Sequence, residues 1–206
     1  MSTITSTQPS APVRNLRWRT VDITVTAVVA VASGVIFWGA GLISEPLSAL
    51  FQFVPGMSAL TWGLFYFAGP LAAIIVRKPG AALFAELIAG VVEAFLGSHW
   101  GGLGTILPGL IQGLGSELVF LAVAYKTWNL AVTTLSGAAA GLAGMAVSWV
   151  MDYQGYSAGF IIVSFVCSIV SGAIIAGVLM WMLLRLIART GALASLASSQ
   201  DVSSRA

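Results

Sequence analysis

Three carboxylates stand inside apolar stretches of this chain, with no lysine or arginine beside them. Glu86 and Glu93 lie in "AALFAELIAGVVEAFLG", and Glu117 lies in "GLIQGLGSELVF". A charged carboxylate at a bilayer centre costs ~3 kcal/mol on insertion scales, so each needs a proton, neutral hydrogen-bond donors or a cationic ligand. Glu86 and Glu93 are seven residues apart, two helical turns, which puts them on one face and about 10 Å apart in depth. Counting back along the next apolar stretch places Gln112 level with Glu93 and Glu117 level with Glu86. The tier of Glu93 and Gln112 is expected to contact a ligand. The tier of Glu86 and Glu117 is expected either to join it or to lock two helices together through a shared proton.

Trp62, Phe65 and Tyr66 follow the helical spacing i, i+3, i+4 and form an aromatic wall near the Glu93 tier. Such a wall suits a flat heteroaromatic or a cation, by stacking and by cation–π attraction of ~1 to 2 kcal/mol when desolvated. The alternative is an interfacial belt facing lipid. The loop "GSHWGGLGT" holds His99 and Trp100 among glycines that permit lid movement. No Ser/His or Cys/His pair, metal-ligand set or phosphate-binding loop is recognisable, which points away from an enzyme and from any cofactor or metal. Without a nucleotide site, uphill transport needs a separate motor or an ion gradient.

These residues require a membrane to position them. Of 206 residues, 58% are apolar and 8% charged, against about 25% charged in a soluble domain. An all-α membrane protein with six transmembrane helices is predicted, near Val21–Leu42, Pro55–Val76, Ala81–Gly97, Thr105–Ala124, Leu130–Met151 and Gly159–Ile187. The membrane domain covers residues 20–188, between a disordered tail at 1–19 and a flexible tail at 189–206. All nine Lys and Arg residues fall on one side of these spans, which predicts that both termini are cytoplasmic. Their dispersal at span ends argues against a nucleic-acid partner. Small residues recur at Thr26, Ala30 and Gly34, at Gly109 and Gly113, at Gly137 and Gly141, and at Ala173 and Gly177, as close helix packing in lipid requires.

The blocks "GVIFWG", "FAGPLAAIIVRKPGAALFAELIAGVVEAFLGSHWGG" and "GLIQGLGSELVF" resemble the YkoE group of substrate-binding (S) components of energy-coupling factor (ECF) vitamin importers. The resemblance runs from about Trp18 to Arg185, and "RKPGAALFAEL" with the later Glu93 is its most specific part. It implies a bacterial plasma-membrane subunit that captures thiamine or its hydroxymethylpyrimidine precursor outside. A transmembrane T component and ABC-type ATPases would drive inward delivery. It also implies a docking face for the T component on the first helix, where Ala27, Ala30 and Gly34 stand without a clean Ala-x-x-x-Ala pair. Thiamine fits the inventory: Glu93 or Glu86 neutralises the thiazolium, Gln112 serves the aminopyrimidine, and Trp62, Tyr66 and Trp100 cover the rings. Two other classes remain open: a small proton-coupled carrier using Glu86 and Glu117, and a non-transporting scaffold whose acids lock helices.

Overall fold

The computed structural model describes residues 16–98, 100–193, 196 and 198, and every regular element among them is helical. In chain order these are α1 (Thr20–Ala49), a 3-10 segment (Met57–Phe65), α2 (Ala68–Val76), α3 (Ala81–Phe95), α4 (Gly102–Ala122), α5 (Leu130–Met151), α6 (Ala158–Ser171), a π-type stretch (Gly172–Leu179) and α7 (Met180–Arg189). The 3-10 segment continues into α2, and α6 runs through to α7, so five apolar spans are long enough to cross a bilayer. The sixth helix, α3, has 15 residues and reaches about 22 Å, short of a ~30 Å hydrocarbon core. Its short reach leaves space beyond Glu93, near its last turn. By contrast α1, with 30 residues, is about 45 Å long, more than a ~30 Å hydrocarbon core requires.

The second span is not the single helix predicted over Pro55–Val76. It changes at Tyr66 and Phe67 from 3-10 to α geometry. A break at membrane depth is tolerated only where its freed polar groups find partners inside the protein. Three serines one face apart on α6 supply them. Ser164 Oγ donates to Gly56 O at 3.4 Å, Ser171 Oγ accepts from Gly63 N at 3.0 Å, and Ser168 Oγ meets Tyr66 Oη at 2.9 Å. Because a 3-10 helix brings i and i+3 into line, Trp62 and Phe65 stack along one edge. Both line the same cavity.

A polar clasp closes the other end of the bundle. Asp22, fully buried on α1, accepts from Arg19 N at 2.9 Å and Arg19 Nη2 at 3.0 Å, and pairs with buried Lys78 Nζ at 3.6 Å. Hydrogen bonding to Asp22, then its charge, raises the pKa of the Arg19 guanidinium above its ordinary value. Trp18 Nε1 donates to Pro79 O at 2.9 Å, so the clasp ties α1 to the α2–α3 turn. Beyond α7, Leu193 and Leu196 are buried in the main apolar core.

The first-helix docking face needs correction. Ala30 is fully buried with Ala72 and Ala85, and a side-chain carbon at Gly34 would lie 2.6 Å from Ala89 O and 2.7 Å from Val92 Cβ. Both face the chain's own interior, so neither can present a surface to a partner; Ala27 is half-buried. Gly34→Leu is therefore expected to act on folding, through an overpacking cost of about 3 kcal/mol. Thermal unfolding in detergent should show a clear loss of stability before any partner is added.

Candidate functional site

A cavity of about 610 Å³ opens at the end of the bundle opposite the Asp22 clasp. The late turns of α1, the 3-10 segment, the end of α3, the start of α4 and the end of α5 surround it. Of the residues singled out from the sequence, Glu93, Gln112, Trp62, Phe65, Tyr66 and Trp100 all line it. His99 lies outside the described residues.

Glu93 is 4% exposed, and a short hydroxyl relay holds it. Thr105 Oγ1, on the first turn of α4, donates to Ser98 Oγ at 2.9 Å, and Ser98 Oγ donates onward to Glu93 Oε1 at 3.5 Å. Trp100 N also donates to Ser98 Oγ, at 3.4 Å. The α3–α4 loop and the buried carboxylate are thus mechanically joined. The second oxygen of Glu93 has no hydrogen-bond partner among the described residues.

The aromatic wall is larger than the sequence suggested. Trp62 stacks on Tyr153 with ring centroids 6.0 Å apart and 15° between planes, while Trp100 meets Phe65 edge-on at 5.2 Å. Tyr153, just beyond α5, also lines the cavity. Thr105 and the α1 residues Phe37, Ser44, Glu45 and Ser48 also line it and were missed. The only available signal was the run of hydroxyls and one acid on α1's final turns, which resembles an ordinary membrane exit.

The other tier is not a ligand tier, nor is it a carboxyl pair. Glu117 accepts from Gly80 N at 2.6 Å, Ala82 N at 2.9 Å and Leu83 N at 3.4 Å, and from Tyr125 Oη at 2.7 Å. Helix α3 starts after Pro79 and a left-handed Gly80 with no cap of its own, so its unpaired amides and positive pole are answered by this carboxylate from α4. Burial first, then the bond to Glu117, pushes the Tyr125 hydroxyl pKa above its ordinary value. Glu86 is fully buried, its Oε2 accepts from Gly69 N, and its Oε1 has no partner among the described residues. Gly69 lies in the first turn of α2, so Glu86 caps the restart after the break at Tyr66–Phe67. Neither acid lines the cavity.

The register between α3 and α4 differs from the prediction by about two turns. Glycines decide it: Gly90 lies against Thr105 and Gly109, and Gly113 lies against Glu86 and Leu83. With no side chains at these points the backbones meet, placing Glu117 opposite the start of α3 rather than opposite Glu86. Glu86→Gln, which keeps an acceptor for Gly69 N, is expected to fold near wild type. Glu86→Leu, which leaves that amide unsatisfied, should lose about 2 kcal/mol. Thermal unfolding of both variants in detergent checks this.

The arrangement is that of a membrane-embedded binding subunit, and comparisons with known proteins agree. A family model described as "ABC-type cobalt transport system, permease component" matches residues 21–143. A curated relative from Bacillus subtilis (strain 168), "Putative HMP/thiamine permease protein YkoE", is 32% identical over 186 residues, 90% of this chain and 92% of its own. A solved structure described as "Crystal structure of an S-component of ECF transporter" superposes with a TM-score of 0.85 at 31% identity, covering 92% of this chain and 95% of that one. The chain belongs to this family of ABC-type permease components, as a YkoE-related ECF S-component and a multi-pass protein of the bacterial plasma membrane.

Proposed function

We propose that this S-component captures thiamine, or its hydroxymethylpyrimidine precursor, from outside the cell and passes it inward without chemical change. The observation that carries this reading is a buried carboxylate, Glu93, with one oxygen that makes no hydrogen bond among the described residues, in a cavity walled by Trp62, Phe65, Tyr66, Trp100 and Tyr153. Glu93 neutralises the thiazolium, the rings cover the heterocycles, and the Gln112 amide offers both a donor and an acceptor to the aminopyrimidine. The name of the Bacillus relative supports this cargo.

Cobalt, named by the family description, suits the residues less well. Among the described residues no group of three His, Cys, Asp or Glu stands where it could hold a metal ion. The proton-carrier reading loses support because Glu117 is committed to capping α3.

Basic residues gather at the clasp end, on Arg17, Arg19, Arg77, Lys78, Lys126, Arg185 and Arg189, which supports cytoplasmic termini and an outward-facing cavity. A T component and ABC-type ATPases supply the energy in this reading. The chain itself is non-catalytic. A thermal-shift panel with thiamine, hydroxymethylpyrimidine and cobalt tests the cargo, since a ligand of the folded state raises apparent stability by mass action. Stabilisation by either organic compound and not by cobalt is expected. Stabilisation by cobalt alone would overturn the reading.

A further inference from the structure

Two carboxylates at the mouth of the cavity have no place in the scheme above. Glu45 lies on the last turns of α1 and Asp152 caps the end of α5; both are exposed and both line the cavity. Both line the same cavity as buried Glu93, one from α1 and the other from the end of α5. No lysine or arginine lines the cavity among the described residues. The start of α4 is the positive pole at this rim, and its Thr105 hydroxyl is already engaged with Ser98 in the relay that ends on Glu93.

We propose that Glu45 and Asp152 form a charge-selective mouth that speeds entry of a free organic cation and rejects its phosphate esters. The proposal rests on the cargo reading above and deepens it. A cleft lined by one sign of charge with low-dielectric walls focuses its field, which raises the encounter rate of an opposite charge. A phosphate monoester carries about −1.5 to −2 charges near neutral pH. Its cationic ring would still match Glu93 and the aromatic wall, but its phosphate would have to sit beside carboxylates with no cation to receive it. Specificity here comes from that repulsive element as much as from the attractive one.

Stopped-flow tryptophan fluorescence on the purified full chain, with thiamine and thiamine monophosphate as probes, tests this in the wild type and in a Glu45→Gln/Asp152→Asn double variant. Both positions are exposed, and far-UV circular dichroism verifies the variant's fold. For the wild type, the ester is expected to bind at least about a hundredfold more weakly than thiamine. In the double variant the association rate for thiamine should fall about tenfold and lose most of its salt dependence, while dissociation stays the same. Affinity for the ester should itself rise about tenfold, so that most of the gap between thiamine and its ester closes. Ester affinity within threefold of thiamine in the wild type, or an unchanged gap in the variant, overturns the charge filter and leaves the cargo reading standing. Binding of neither compound overturns the charge filter, and failure of hydroxymethylpyrimidine to bind as well overturns the cargo reading.

Discussion

Glu93→Gln is expected to raise the dissociation constant for thiamine about thirtyfold, equivalent to about 2 kcal/mol, in calorimetric titrations of the purified chain. The side chain keeps its size, and an amide oxygen can still accept from Ser98 Oγ, so the relay from Thr105 survives. What is lost is the charge opposite a permanent cation in a site where water is largely excluded, and there a charge pair is worth more than at an exposed surface. Hydroxymethylpyrimidine carries no thiazolium, so the same substitution should change its affinity much less. An effect of less than twofold on thiamine would remove Glu93 from the site.

The second large effect concerns Glu117, which on this account contributes stability and leaves the cargo site alone. Glu117→Ala takes the acceptor from three backbone amides at the start of α3 and from the Tyr125 hydroxyl. Buried donors left unpaired cost about 1 to 3 kcal/mol each and do not add fully, so a loss of about 3 kcal/mol is expected. Glu117→Gln keeps one acceptor and should lose about half as much. The folded fraction of either variant should bind thiamine within about twofold of wild type, because Glu117 does not line the cavity. Denaturant unfolding monitored by circular dichroism, with calorimetry at low temperature, separates the two effects. A Glu117→Gln protein of wild-type stability that fails to bind thiamine would return this residue to the site.

The span positions were legible in the sequence because they depend on local apolar runs and on where basic residues interrupt them. So was the cluster of Glu93, Gln112, Trp62, Phe65, Tyr66 and Trp100, since carboxylates and aromatics at membrane depth are costly or conspicuous wherever they occur. The break after Phe65 was not legible. Pro70 sits harmlessly in the first turn of α2, and the groups that allow the break are serines about a hundred residues later, at 164, 168 and 171. Nor was the register of α3 on α4, set by backbone contact at Gly90, Gly109 and Gly113, because a small-residue stripe shows that helices approach without showing which turn meets which. That misplaced register made Glu117 look like a partner of Glu86. The same limit applied to α1: Ala30 and Gly34 were recognisable as a close-contact face, but only the fold shows that the contact is with α3.

Thiamine captured in the cavity lies between its rings and Glu93 in this mechanism. Trp62 and Trp100 both line it, so a ligand stacked there must alter their emission. Titration of the purified chain with thiamine, read by tryptophan fluorescence, tests the claim most directly. Saturable quenching with one site per chain is expected, lost or strongly shifted to higher concentration in Trp62→Ala. Linear, unsaturable quenching, the same in the wild type and in Trp62→Ala while both remain folded, would contradict it.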